Sequence, residues 1–289
     1  MKIAIDGYCY HRHFYQHYPL LEQEAVPQLD FWQCLEQAIQ FQIEGVSIES
    51  FMLPDPTEDD ILQLRQILSA QQLELVWAWG HPSGFESGQN AQALVDFQKH
   101  AKIAQALGAK TMRICAGGRK SRPQGTWQNH KKSLLPLLEK ATDFAIQHQL
   151  TLALENHVDL LADEIVDLVK TIDSPHFGIC LDTANNLRML EDPWQAIEKM
   201  APYAKATHIK DVQALQGDPK TFAFWPSVVS GQGLIPLEKT FHLLNQLNYQ
   251  GLLALEIDYL HPQYTSEYDA FSQSLNYLKN LKQSVLNQR

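Results

Sequence analysis

The chain has 289 residues, 45% hydrophobic and 19% charged, the balance of a globular enzyme and enough length for a substantial core. Its net charge of −10 argues against nucleic-acid phosphate as a main partner, and no apolar run approaches the roughly 18 residues that would cross a membrane. Cys9, Cys34, Cys115 and Cys180 have no CxxC spacing and read as reduced thiols, while "MKIAIDGYCYHR" lacks the apolar stretch of a signal peptide, so the cytoplasm is the expected compartment.

In chain order, short apolar runs recur as "KIAID", "EGVSIES", "LELVWAW", "AKTMRIC", "LTLALEN", "FGICLDT", "KATHIKD" and "LLALEID". Segments with helical periodicity separate them. "NAQALVDFQKHAKIAQAL" closes on Gly108 as a helix stop, and "PWQAIEKMAPYAK" places Pro193 in a first turn after Asp192. Eight alternations with no linker or composition break predict one α/β domain over residues 1–289, a closed (β/α)8 TIM barrel of parallel strands. The competitor is a doubly wound open sheet. It would usually carry a glycine-rich phosphate turn after the first strand, and "DGYCYHRH" has none.

Within the strands, large and small residues alternate. Leu152 and Leu154 flank Ala153, Ile179 and Leu181 flank Cys180, and Leu253 and Leu255 flank Ala254. Side chains alternate faces along a strand, so the aliphatics should meet the outer helices and the small residues should fill the barrel. Each inward row then ends in a polar residue at the C-terminal tip, where barrels of this kind place their chemistry. Glu155, Asp182, His208 and Glu256 are four such ends. Three carboxylates and an imidazole brought together would repel unless a cation lay among them, and three oxygens with one nitrogen suit Mn²⁺, Mg²⁺ or Co²⁺ better than Zn²⁺. The alternative is a set of buried ion pairs.

The stretches "LALENHVD", "GICLDTANNLRMLEDPW", "ATHIKD" and "GQGLIPLEKTFHLLNQLNYQGLLALEI" make the chain similar to the xylose-isomerase-like TIM-barrel superfamily. The likeness is to its sugar phosphate isomerase/epimerase branch, with the ketose 3-epimerases and inosose dehydratase. It implies one divalent metal ion bound at Glu155, Asp182, His208 and Glu256, with the two glutamates flanking a small sugar or sugar-acid substrate and moving its protons. The implied chemistry is isomerisation or epimerisation through a metal-stabilised enediolate. The same intermediate can instead expel water or carbon dioxide, so a dehydratase or decarboxylase is the alternative. A sugar-binding protein without activity is disfavoured, because all four ligand positions are filled by ligand-type residues.

The family's epimerases commonly have Asp-x-x-His at the sixth strand, where this chain reads "DTAN" and puts Asn185 in the imidazole's place. That change, with no DxH pair after the seventh strand, makes the three-zinc arrangement of the related apurinic endonucleases a poor match. Asn185, Lys210, His81, Arg113, Glu49 and His157 are the expected substrate contacts. Lys210 and His81 are favoured as cations facing the substrate, and Arg113 with Glu49 could instead form a buried pair. Two long βα loops, residues 7–30 and 212–233, hold many aromatics, among them Phe222, Phe224 and Trp225, and suit a lid or a homo-oligomer interface equally. His11, His13 and His17 read as solvated. The loop "GGRKSRPQGTW" carries Arg119, Lys120 and Arg122, either a solvated basic run or a site for a phosphate or carboxylate.

Overall fold

Strand β1 (Lys2–Asp6) pairs in parallel with β2 (Gly45–Glu49) on one side and with β8 (Leu252–Leu255) on the other, which closes the sheet. Between them run β3 (Glu74–Ala78), β4 (Thr111–Ile114), β5 (Thr151–Glu155), β6 (Phe177–Asp182) and β7 (Ala204–Ile209), each bonded to its neighbours in sequence order. The computed structural model describes residues 1–18, 21–81, 83–216 and 225–287. Phe222 and Phe224 of the long seventh loop lie outside them.

Helices α1 (Phe31–Gln40), α2 (Glu58–Ala70), α3 (Ala93–Leu107), α4 (Trp127–Gln147) and α5 (Ala162–Ile172) follow the first five strands. After β6 come a single turn, α6 (Asn185–Arg188), and α7 (Pro193–Met200), while α8 (Leu237–Gln246) and α9 (Glu267–Leu286) complete the ring. Local chemistry sets these boundaries. Asp30 and Thr57 form capping boxes at the starts of α1 and α2, and Gly108 ends α3 at φ 83°, a left-handed conformation that glycine adopts without strain. Asp192 caps α7 by accepting from Gln195 N. That helix stops earlier than its periodicity suggests, because residues 201–203 tighten into a 3-10 turn and Ala204 already belongs to β7. No described helix is long and apolar enough to cross a membrane.

The alternation along the strands sorts as expected. Leu152, Leu154, Ile179, Leu181, Leu253 and Leu255 join the large core between sheet and helices. Ala153, Cys180 and Ala206 form a separate small cluster inside the barrel, and Ala4, Val76, Leu252 and Ala254 form another. Small side chains fill the narrow interior at close-packed density and leave its C-terminal end to polar groups.

Candidate metal centre and active site

Glu155 closes β5, Asp182 closes β6, His208 lies one residue from the end of β7, and Glu256 directly follows β8. One ligand atom from each of the four lies within 4.8 Å of the others, and all four residues are buried. His208 is the hub. Its Nδ1 is 3.0 Å from Glu256 Oε2 and 3.5 Å from Glu155 Oε1, and its Nε2 is 3.3 Å from Asp6 Oδ2.

Asp182 is held from two sides. Its Oδ1 accepts from Ala184 N and Asn185 N, both at 2.8 Å, which turns the chain into α6 and leaves Oδ2 for the cluster. Asn156 brackets its backbone, accepting from Asp182 N at 2.7 Å and donating to Asp182 O at 2.8 Å. A further bond from Asn156 Nδ2 to Asn186 Oδ1, 2.6 Å, ties the same clamp to α6.

These residues fit a divalent cation on two counts. Asp182 Oδ2, His208 Nδ1 and Glu256 Oε2 are buried without a hydrogen-bond partner, and unsatisfied buried acceptors are costly. Lys210 Nζ comes within 3.1 Å of both carboxylate oxygens, but as ion pairs and not as aligned hydrogen bonds. Charge is the second count. Six buried carboxyl groups, Asp6, Glu49, Glu155, Asp182, Glu256 and Asp258, crowd this end of the barrel against Arg113, Lys210, Arg188 and the imidazole of His208, an acidic set that a divalent ion would suit.

The electrostatics separate the carboxyls. Burial raises the pKa of Glu155, but Arg113, His208 and His157 outweigh it and hold the group well below the usual carboxylate range. Burial likewise opposes ionisation of Glu256, and Lys210 and His208 bring it down to about 2. Asp182 goes the other way, pushed up to about 6 by burial that Lys210 only partly offsets. Burial disfavours the imidazolium of His208, yet the acidic groups around it, Asp6, Glu256 and Glu155 among them, favour it more strongly. The same carboxylates would favour a metal ion in the proton's place.

Above the cluster opens a cavity of about 710 Å³, within the range of small-molecule sites. Of the substrate contacts expected from sequence, Asn185, Lys210, His81, Arg113 and His157 line it, together with Glu155 and Glu256. Asn185 Nδ2 donates to Glu155 Oε1 at 3.2 Å, so the amide in the imidazole's place orients a glutamate. Glu49 is not in the lining. It is fully buried behind Arg113 and paired with that guanidinium, whose Nε is 3.4 Å from Glu155 Oε2. His81 lines the cavity but not as the cation expected: burial, with His157 and Arg113 nearby, lowers its pKa to about 3, so it offers a neutral imidazole. Lys210 keeps its charge and divides it among Asp182, Glu256 and Asp258.

Several contributors were not anticipated. Asp6 and Asp258 both lie on inward parity, two residues beyond Ala4 and Glu256, a signal present in the sequence. Asp258 accepts from Ser227 Oγ at 2.6 Å and is ion-paired with Arg188, which also donates to Trp225 O at 2.7 Å. His11 differs from the solvated reading. Residues 7–14 fold into a 3-10 helix directly after β1, where His11 is fully buried and stacked on Tyr8, with Nε2 2.9 Å from Glu22 Oε2.

The chain belongs to the xylose isomerase-like TIM-barrel family, whose model matches residues 35–281. It is 32% identical over 125 residues to the uncharacterized protein YihM of Escherichia coli, covering 41% of this chain and 37% of that one. It is 29% identical over 126 residues to the 3-oxo-isoapionate decarboxylase of Pectobacterium atrosepticum, covering 44% of each. The match thus spans less than half the length of these two relatives. An inosose dehydratase of Bacillus anthracis is 25% identical over 219 residues, with 68% of this chain and 72% of that one covered. Among solved structures, the IOLI protein with a bound zinc atom superposes with a TM-score of 0.75 at 15% identity over 99% of both chains. An L-ribulose 3-epimerase reaches 0.73 at 15% identity over 99% of this chain and 96% of its own.

Proposed function

We propose that this chain, read as one domain, is a divalent-metal-dependent sugar isomerase or epimerase. The observation that carries the reading is a pair of ionised glutamates, Glu155 and Glu256, facing each other over a buried ligand cluster at the floor of a sugar-sized cavity. Glu155, Asp182, His208 and Glu256 would hold the ion, with Mn²⁺, Mg²⁺ or Co²⁺ the better matches to so oxygen-rich a set. Bound there, it would polarise the substrate carbonyl and make the neighbouring carbon more acidic.

The protein's own groups do the rest. One glutamate, ionised at neutral pH, takes the proton from the carbon beside the carbonyl. The other gives the opposite face a proton that it has first taken from water, and the first returns its own to water, which inverts that carbon and restores both carboxylates. Arg113 and Asn185 fix Glu155, and Lys210 fixes Glu256, so neither carboxylate must reorganise as the proton moves. Tyr8, Trp225 and Tyr259 around the mouth give a sugar an apolar face and limit water. Four free, buried cysteines suit a reducing compartment such as the cytoplasm.

A second reading, a lyase that releases water or carbon dioxide, is favoured by the relatives' names, a decarboxylase and inosose dehydratases, and by Asn185 in place of a titrating imidazole. One experiment tests both. Ketoses and keto-acids are incubated in D2O with protein loaded with Mn²⁺, Mg²⁺ or Co²⁺, and followed by NMR and mass spectrometry. Deuterium at the α-carbon with no loss of mass supports the epimerase, and loss of water or carbon dioxide supports the lyase. No exchange with any metal, and none bound, overturns both.

A further inference from the structure

The cavity has carboxylates on its floor and basic residues on its rim, and two of the rim's cations form no ion pair among the described residues. Arg113, Lys210 and Arg188 each face a carboxylate: Arg113 faces Glu49, Lys210 faces Asp182, Glu256 and Asp258, and Arg188 faces Asp258. Arg119 and Lys120 line the same cavity, are exposed, and form no ion pair among the described residues. In a chain of net charge −10, two adjacent cations without an ion pair at a cavity wall are out of keeping with the surroundings, and Glu86, on the same wall, accepts from Asn90 Nδ2 instead.

Their loop is built to hold them there. Arg122 makes a bidentate pair with Glu164, 2.7 Å to each oxygen, and also donates to Asp159 O, which fastens the loop to the start of α5. Ser121 Oγ accepts from Gly118 N at 2.8 Å and lies 3.1 Å from Ser87 Oγ, while Gln89 Nε2 donates to Ser121 O at 2.7 Å. His157 Nδ1 meets Gly117 O at 3.0 Å, tying the other end of the loop beside Glu155. The third basic residue is thus a structural anchor, and the first two are presented to the cavity.

An uncharged sugar would have no use for this arrangement. A ligand with a carbonyl and hydroxyls at one end and a negative group at the other would match floor and rim together. Arg119 could take such a group bidentately, with Lys120 as a point charge beside it. We propose that the ligand of this cavity carries a terminal anionic group, a carboxylate or a phosphate, bound by Arg119 and Lys120. This rests on the cavity being the substrate site, as read above, and narrows the substrate class to sugar acids or sugar phosphates.

The test compares D-fructose, 5-keto-D-gluconate and D-fructose 6-phosphate by calorimetry on Mn²⁺-loaded protein, wild type beside Arg119→Ala/Lys120→Ala. One of the two anions should bind about tenfold or more tightly than fructose, and the winner shows whether carboxylate or phosphate is read. That preference should shrink to about twofold in the double variant and weaken between about 0.05 and 0.5 M salt, because the rim is exposed. A charge-reversed pair, Arg119→Glu/Lys120→Glu, should abolish it, and both variants should melt near the wild-type temperature, since neither side chain is buried. Anions that bind no better than fructose, or a preference that survives both variants, would overturn the proposal. Metal content of the same samples keeps the two readings apart. Bound Mn²⁺ without an anion preference removes only this inference, whereas no bound metal removes the reading beneath it.

Discussion

Glu155 and Glu256 share one imidazole: His208 Nδ1 lies 3.5 Å from Oε1 of the first and 3.0 Å from Oε2 of the second. Their other neighbours differ in kind. Glu155 has a rigid guanidinium, Arg113 Nε at 3.4 Å, and the amide of Asn185, whereas Glu256 has the flexible ammonium of Lys210 at 3.1 Å. The two carboxylates are therefore chemically distinct, and each should serve one face of the substrate.

That distinction predicts how single substitutions behave. Glu155→Gln and Glu256→Gln should each lower epimerisation by roughly 10²- to 10⁴-fold, the usual worth of a positioned acid or base. Each variant should still exchange the α-proton of one epimer with solvent and lose exchange with the other. Following deuterium wash-in separately from the two epimers measures this. Exchange lost from both epimers in both variants would mean that one base serves both faces, and the two-base reading would fail.

Lys210 offers a second prediction, about stability. Its Nζ is 3.1 Å from Asp182, Glu256 and Asp258, so Lys210→Met leaves three buried carboxylates without their shared cation. Breaking a buried ionic network in this way costs about 3–5 kcal/mol. A divalent cation at the neighbouring ligand set should recover part of that loss. The rise in Tm from EDTA to Mn²⁺ should therefore be larger in Lys210→Met than in wild type. An equal rise would show that the ammonium and the metal do not answer to the same negative charge.

The convergence of the four strand ends was legible because barrel strands alternate strictly. Once Ala153, Cys180 and Ala206 are assigned inward, Glu155, Asp182 and His208 must point to the C-terminal mouth. The same parity reaches Asp6 and Asp258, but nothing in a strand end reveals its partner across the barrel. Glu49 and Arg113 are 64 residues apart, and only closure of the ring turns two inward side chains into one pair. His11 was misread for a related reason: burial of a loop histidine depends on how the loop folds back, and here a 3-10 turn stacks it on Tyr8. Asn156 was beyond sequence reasoning, since its partners are the backbone of Asp182 on the next strand and the side chain of Asn186 in α6.

Asn156 is buried and does not line the cavity, yet it sets where Asp182 stands. Asn156→Ala would leave Asp182 N and O without their side-chain partner and free Asn186 from the clamp. Groups that orient ligands in this way typically carry about 10–100-fold in metal affinity. Titration of the variant with Mn²⁺ should show a weakening of that order, with melting lowered as well. Unchanged affinity would mean that the bonds from Ala184 N and Asn185 N fix the Asp182 carboxylate unaided.

The last prediction concerns pH and a carboxyl outside the ligand set. Asp159, fully buried in the loop after β5, has no hydrogen-bond partner on either oxygen. Burial pushes its pKa from 3.8 up to about 6, with His157 and Arg122 opposing and Glu155 adding to the rise. A carboxyl whose folded value lies above its unfolded one stabilises the protein below the unfolded value, and that contribution disappears as pH climbs through the folded value. Stability owed to Asp159 should therefore fall between about pH 4 and pH 6 and be absent at neutrality, a swing of up to about 3 kcal/mol for a rise of this size. Asp159→Asn cannot ionise and should escape it. The variant's Tm relative to wild type should climb over that interval and level off above about pH 7. A difference that stays flat from about pH 4 to pH 8 would show that the buried carboxyl ionises with an ordinary pKa, and one that narrows as pH rises would show a pKa below the ordinary value, so either outcome would overturn the prediction.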